Sequence, residues 1–250
     1  MDINQELAAL LERLQAAAGD NLVSVLLYGS AARDRHDRYS DLNVLCVLQG
    51  LDAAALDQLR PAFEWWSGRA HSAPALFASA ELPRSADVFA IEFLDIQAHR
   101  RVLFGPDPFA DLKIPLDLHR VQLEHELRAK LARLRQGFLV ARRDRDRLQL
   151  LLDSMSSMLT LFRHALFALD GSVLHDRNAV LDAVAARFSA DVTAFRALLD
   201  FRRERRRRGD LDIPALASSY LDCVTRVTSE VDRLLDANGQ RPSTNDKVSS

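Results

Sequence analysis

The residues best suited to chemistry lie in one stretch, 26–45, which reads LLYGSAARDRHDRYSDLNVL. An apolar run ends at Gly29 and Ser30, ten residues follow, and Asp41 and Asn43 then stand at the head of a second apolar run. Side chains two apart on a strand point to the same face, so Asp41 and Asn43 are expected to project together. Carboxylate and amide oxygens at a strand end, facing a turn of small residues, suit a hard cation such as Mg²⁺.

Gly29 and Ser30 suit the other half of such a site, the binding of phosphate. Glycine lets the backbone approach a phosphate closely, and Ser30 offers its hydroxyl and its backbone N–H as donors. A helix beginning at Ala31 would add the partial positive charge of its N-terminus. Arg33, the cation nearest Ser30, is a candidate for bidentate phosphate contact, with a solvated loop arginine as the alternative. Nucleotidyl transfer requires at least a phosphate-binding site next to a metal site.

Alternating helices and strands are predicted to position these residues. Leu7, Leu10 and Leu14 recur at helical spacing, which predicts an amphipathic helix over 4–18. Short apolar runs bounded by polar residues predict strands, and a longer pattern predicts a second helix. The predicted strands are 22–28, 42–48, 73–79 and 88–96, and the second helix covers 53–66. This order indicates a small mixed sheet flanked by helices.

The character of the chain changes after a turn-rich stretch at 105–108, which reads GPDP. Residues 148–169 are apolar nearly all round, as expected for a helix at the centre of a bundle. Further helical patterns cover 177–188, 192–207 and 213–235. The predicted fold class is therefore α+β: a small mixed-sheet domain over 1–110, an all-α helical bundle over 115–237 and a disordered polar tail over 238–250.

The composition argues against several classes of partner. The 33 Lys and Arg residues nearly balance the 35 Asp and Glu residues, and the net charge of −2 gives no general affinity for nucleic acid or an anionic membrane. The basic run at 202–208 is interpreted as a helix C-terminus, with a nucleic-acid patch as the alternative.

The two cysteines, Cys46 and Cys223, lie in apolar patterns without metal-ligand spacing and are interpreted as buried, reduced thiols. The N-terminus lacks the cations and the apolar core of a signal peptide, and no apolar stretch approaches membrane-spanning length. A cytoplasmic protein with no membrane partner is predicted.

The stretch 26–45 resembles the signature of the DNA polymerase β-like nucleotidyltransferase superfamily: an apolar run, Gly-Ser, a polar loop, then acid-x-acid before a second apolar run. The layout, with a small transferase domain before a helical bundle, is similar to that of the antibiotic (aminoglycoside) adenylyltransferases. The resemblance implies Mg²⁺-dependent transfer of a nucleoside monophosphate from a nucleoside triphosphate to a hydroxyl of a small-molecule or protein acceptor. It assigns Gly29, Ser30 and Arg33 to nucleotide binding, and Asp41 and Asn43 to the metal and to catalysis.

The family also has a third carboxylate on a later strand, and the run VFAIEFLDI at 88–96 offers Glu92 and Asp95. Three residues apart on a strand, these two acids are expected to point to opposite faces, so only one can face the metal. The resemblance to adenylyltransferases favours Glu92 as third metal ligand or base, with Asp95 in reserve. The alternative is that either acid merely pairs with Arg100 or Arg101.

Asn43 departs from the family, which has an acid at this position. An amide oxygen can ligate Mg²⁺ but brings no charge. Two interpretations follow. In one, the enzyme is active, with Asp41 and Glu92 carrying the charge. In the other, the chain is a catalytically weak or silent nucleotide-binding regulatory module, comparable to transferase-like domains that pair with helical toxin partners.

Overall fold

The computed structural model describes residues 3–33 and 42–237, without the side chains of Ser30, Arg33 and 234–237. The chain divides into two compact units, Met1–Leu118 and His119–Ser250. Asp41 and the predicted tail at 238–250 lie outside the described residues. Among the helices of the described part, none combines the length and the apolar character needed to cross a membrane.

Over 3–33 and 42–118, the first unit is a four-stranded mixed sheet with three α-helices. The strands stand in the order β3-β2-β1-β4, with β1 antiparallel to both β2 and β4 and with β2 parallel to β3. The elements, in chain order, are α1 (Ile3–Ala18), β1 (Leu22–Tyr28), β2 (Asn43–Leu48), α2 (Ala53–Ser67), β3 (Ala75–Ala78), α3 (Ala90–Ala98) and β4 (Arg100–Phe104). The mixed sheet predicted from the sequence is confirmed.

The two faces of this sheet pack against different helices. On the first face, Leu10 and Leu14 of α1 and Trp66 of α2 form one core with Leu27 and Val44. On the second face, the core is formed by α3 and the segment that follows β4, and it includes Leu26, Leu45, Phe93, Ile96 and Phe109. The central strand β1 is therefore covered on both sides.

The predicted strand at 88–96 is wrong, because most of it forms the helix α3. Ala90, Phe93 and Ile96 are buried at three-residue spacing, which places them on one side of a helix. An almost continuous apolar run fits a buried strand and a buried helix equally well, so its periodicity does not separate the two. The strand beside β1 is instead β4, which begins at Arg100.

Gly105 ends β4 in the left-handed region, with φ +72°. A Cβ atom at this position would lie 2.0 Å from the carbonyl oxygen of Val23. Glycine is therefore required here by both the backbone conformation and the close approach to β1.

In the described part of the second unit, over 119–237, four α-helices surround a fifth, α5. Helix α5 packs against each of the other four, as predicted for a central helix that is apolar nearly all round. The helices are α4 (His119–Val140), α5 (Asp144–Asp170), α6 (Arg177–Phe188), α7 (Thr193–Arg202) and α8 (Ile213–Ala237).

Helix α7 is shorter than the predicted helix at 192–207, because it ends at Arg202. Glu204 turns the chain with φ +57°, in the left-handed region. Like charges three and four residues apart destabilise a helix, which explains why the arginine run does not continue it. The arginines beyond the helix are exposed: Arg203, Arg205, Arg206, Arg207 and Arg208.

Both cysteine thiols are buried, Cys46 in β2 and Cys223 in α8, and burial raises the pKa of each to about 12. Because only the thiolate is nucleophilic, neither cysteine should react with DTNB in the folded protein at about pH 8. Absorbance should show two thiols per chain after unfolding in guanidinium and almost none before it. A rapid reaction of either thiol in the native protein would contradict this burial.

Candidate active site

The site is built from the end of β1, where Gly29 leaves the sheet with φ +79°. Its N–H donates to the carbonyl of His99 at 3.3 Å, between α3 and β4. The following turn is a 3₁₀ helix of five residues, Gly29–Arg33, and not the α-helix considered from Ala31. So short a segment lacks the aligned dipoles of an α-helix, and phosphate binding here would depend on individual donors.

Asn43 is the first residue of β2 and lies opposite Tyr28 in the sheet register. Its Nδ2 atom lies 3.1 Å from the position that a Cβ on Gly29 would occupy. The two halves of the motif therefore meet: the amide of Asn43 fills the space beside Gly29 that a side chain would need. The amide oxygen of Asn43 can accept a hydrogen bond or ligate a cation.

Glu92 lies near the start of α3 on its exposed side, one residue before the buried Phe93. Burial of the phenol and, second, the negative charge of Glu92 raise the pKa of Tyr28. Glu92 is thus within electrostatic reach of the residue that pairs with Asn43. On a helix, residues three apart lie on the same side, so Glu92 and Asp95 do not point to the opposite faces expected for a strand.

Arg100, the first residue of β4, is paired with Tyr28 on the side of β1 opposite to Asn43. Its guanidinium donates to both carboxylate oxygens of Asp107, at 2.7 to 2.9 Å. Asp107 also accepts the backbone N–H of Phe109 at 2.9 Å. Arg101 points toward α1 and donates to Asn4 at 3.2 Å. The polar contacts of Arg100 and Arg101 therefore do not support the alternative that they pair with Glu92 or Asp95.

The residues proposed as metal ligands carry oxygen donors, which suit a hard cation. The Asn43 amide and the Glu92 carboxylate are of the kind that Mg²⁺ prefers, whereas sulfur and imidazole ligands would indicate a transition metal. Within 3–33 and 42–237, no three His, Cys, Asp or Glu side chains lie close enough together to hold a metal. Asp41, outside the described residues, is the predicted additional carboxylate, and the roles of Ser30 and Arg33 also stay predictions.

Sequence reasoning missed Tyr28 and the Arg100–Asp107 pair. In the sequence, Tyr28 is only the last residue of an apolar run, although an aromatic ring with a polar tip at a strand end is itself a signal. Arg100 and Asp107 are separated by the turn at Gly105, and the sequence offers no spacing rule that would join them.

The Arg100–Asp107 pair predicts a pH-dependent effect on stability. Hydrogen bonds from Arg100 hold the pKa of Asp107 below its usual value. The pair therefore stabilises the fold above the unfolded-state pKa of about 3.9, and this contribution is lost as the pH falls through the lower folded-state pKa. Asp107→Asn should lower the free energy of unfolding by about 1–3 kcal/mol at neutral pH.

Urea unfolding at neutral pH and at about pH 2.5 checks this, because the difference from wild type should shrink at the acidic value. Asp111→Asn, a change at an exposed neighbouring acid, is the matched control and should have little effect at either pH. An equal loss for Asp107→Asn at both pH values would contradict the ion pair.

Comparison with known proteins supports the fold alone. No family model and no curated protein matches the chain. Among solved structures, the chain is similar to the spectinomycin adenyltransferase AAD(9) from Enterococcus faecialis, in its crystal structure with ATP and spectinomycin. The TM-score is 0.61 at 14% identity, over 90% of this chain and 99% of that one.

A second match is a toxin-antitoxin structure with AMP-PNP. Its TM-score is 0.28 at 18% identity, over 40% of this chain and 73% of that one, which is too low to support an argument. The similarity to the adenyltransferase confirms the resemblance predicted from the motif at 29–43. The chain has an α+β fold similar to that of this adenyltransferase, with a small mixed-sheet unit followed by helices.

Proposed function

We propose that the chain is a nucleotidyltransferase. It moves a nucleoside monophosphate from a Mg²⁺-bound nucleoside triphosphate to a hydroxyl of a small-molecule or protein acceptor and releases pyrophosphate. The observation that carries this proposal is the contact between Gly29 and the Asn43 amide at the end of β1, in a chain whose fold resembles that of an ATP-bound adenyltransferase over 90% of its length.

The phosphate side of the proposed site is the turn after β1. Gly29, with no side chain and a left-handed backbone, lets the β and γ phosphates approach the main chain. The Ser30 hydroxyl and backbone N–H donate to the same oxygens, and Arg33 adds a bidentate contact. These donors orient the triphosphate so that its α phosphorus faces the acceptor.

The oxygens of Asp41, Asn43 and Glu92 would hold the magnesium ion. When bound, it neutralises phosphate charge and aligns the reacting oxygens. Glu92 is exposed, so it is also accessible to an acceptor hydroxyl. As the new bond forms between the acceptor oxygen and the α phosphorus, the bond to the pyrophosphate oxygen breaks. In the alternative role, as base in place of third metal ligand, Glu92 takes the hydroxyl proton.

The identity of Asn43 favours a second candidate function, a silent nucleotide-binding regulatory module. An amide gives the site one negative charge fewer than the family pattern requires. Such a site would retain nucleotide affinity without appreciable turnover.

Nucleotide binding should depend on Mg²⁺ and on Asp41. Calorimetry with ATP, CTP, GTP and UTP, each with and without Mg²⁺, should show at least one metal-dependent interaction. Asp41→Ala should weaken this interaction by more than about tenfold. Mutation of a residue that merely hydrogen-bonds a metal ligand already lowers metal affinity by about that factor. Asp37→Ala, at an acid of the same loop, is the control. Equal binding by Asp41→Ala and wild type would reject the assignment of Asp41.

Asn43→Asp should raise the rate of pyrophosphate release from ATP if the amide is a weak ligand in a working enzyme. The rate is measured with Mg²⁺, first with water alone and then with spectinomycin as a trial acceptor. Asn178→Asp makes the same chemical change in the second unit and should leave the rate unchanged. No turnover in either variant, together with Mg²⁺-dependent ATP binding, would favour the silent module.

A further inference from the structure

We propose that one end of the helical bundle is a docking surface for an acidic, partly apolar segment of another protein. This arginine-rich end consists of two arginine runs, 142–147 and 203–208, and of the exposed apolar pair Leu139 and Val140. All of these residues belong to the second unit. The surface therefore adds a binding function that does not depend on nucleotidyl transfer.

Contacts with α5 bring the two arginine runs to the same end of the bundle. The first run covers the turn from α4 to α5 and the start of α5. Arg202, directly before the second run, donates to the carbonyl of Leu152 at 2.8 Å and to Ser156 Oγ at 3.0 Å. At a rise of about 1.5 Å per residue, Leu152 lies about 12 Å along α5 from its first residue. The second run thus leaves α7 beside the first half of α5, close to the first run.

The start of α8 holds the other flank of the second run. Helix α8 begins at Ile213, and early in it the hydroxyl of Tyr220 lies 2.9 Å from Ser154 Oγ of α5. The segments before and after the second run are therefore both anchored to residues 152–156 of α5. This anchoring keeps the second run at the arginine-rich end.

The arginines of the two runs are available to a partner. Among the described residues, no ion pair is made by these exposed guanidinium groups: Arg142, Arg143, Arg145, Arg203, Arg205, Arg206, Arg207 and Arg208. Other exposed arginines are paired, as Arg60 is with Asp57 and Arg128 with Asp232. An unpaired guanidinium group can donate two parallel hydrogen bonds to a carboxylate of a binding partner.

The apolar pair adds a second kind of contact. Leu139 and Val140 end α4, directly before the first run, and are 86% and 77% exposed. A single exposed apolar side chain needs no explanation, but these two adjoin each other and the arginines. Apolar side chains and arginine are both typical of protein–protein interfaces, in which a polar rim surrounds an apolar centre.

The pattern of charge favours a protein partner over a polyanion. Asp144 and Asp146 interrupt the first run, and Glu204 interrupts the second. These acids would repel the uniform negative charge of RNA or of acidic lipid headgroups, whereas a protein can place its carboxylates opposite the arginines alone. The runs also contain no aromatic residue on which RNA bases could stack, and RNA would leave the apolar pair uncovered.

Fluorescence anisotropy with a synthetic peptide tests the surface. The fluorescein-labelled peptide alternates pairs of glutamate with single leucines and has about 12 residues, which span about 40 Å when extended. It should bind with a micromolar Kd at about 50 mM NaCl and more weakly at about 300 mM, because salt screens exposed charges. A matched peptide with serine in place of leucine should bind less tightly.

Reversal of charge at two arginines should abolish most of this binding. Arg205→Glu combined with Arg206→Glu should raise the Kd of the leucine peptide by about tenfold or more, because like charges then face its carboxylates. The matched control combines Arg84→Glu with Lys113→Glu, which makes the same change in charge at exposed positions of the first unit. It should alter the Kd by less than about twofold, because salt screens distant charges.

The apolar pair is tested separately. Leu139→Ser combined with Val140→Ser should weaken binding of the leucine peptide by about threefold or more, because apolar area is no longer buried. The same variant should bind the serine peptide as the wild type does. Equal binding of the leucine peptide by this variant and the wild type would remove the apolar pair from the surface.

The remaining outcomes each overturn part of the proposal. No binding of the leucine peptide, or equal binding by the glutamate variant and its control, would reject the docking surface. Tighter binding of oligouridylate, or of phosphatidylcholine vesicles containing phosphatidylserine, would reject a protein partner. A wild-type dimer in light scattering that the glutamate variant loses would assign the surface to a second copy of this chain instead.

Discussion

The site depends on one steric constraint at the end of the central strand. Gly29 leaves β1 with a positive φ, and a Cβ atom at this position would lie only 3.1 Å from Nδ2 of Asn43. Strand β1 is covered on both faces, so its polar end is where β2, β4 and α3 can present side chains to one another. A side chain at position 29 would strain the left-handed backbone and would push the Asn43 amide away by a few tenths of an ångström.

The sheet and most helices were predictable because their patterns are bounded and periodic. β1 and β2 are short apolar runs beside glycine and polar residues, and α1 carries leucines at helical spacing. Helix α3 was not predictable, because an apolar run with scattered acids satisfies a strand and a helix alike. Its identity is decided by tertiary packing: Phe93 and Ile96 cover Leu26 and Leu45 from the second face.

The candidate site was predictable in part, for a related reason. A sequence motif records neighbours along the chain, and the meeting of Gly29 with Asn43 follows from two adjacent antiparallel strands. The third carboxylate was proposed from the family resemblance, but the prediction that a strand carries it was wrong, because Glu92 lies in helix α3. Tyr28 and Arg100 join the site only through the register of β1 with its two neighbours, which no local pattern encodes.

The replacement of an acid by Asn43 changes the charge balance of the proposed site. Carboxylates that share a site repel one another when no cation is present, and each raises the pKa of the next. An amide removes part of this repulsion from the nucleotide-free chain and also removes part of the attraction for a cation. On the proposed function, affinity for Mg²⁺ then depends more heavily on the triphosphate, whose oxygens supply the missing charge. On this proposal the chain would capture a preformed magnesium–nucleotide complex in preference to binding the ion first, and the proposed phosphate contacts at Gly29 and Ser30 would supply most of the affinity.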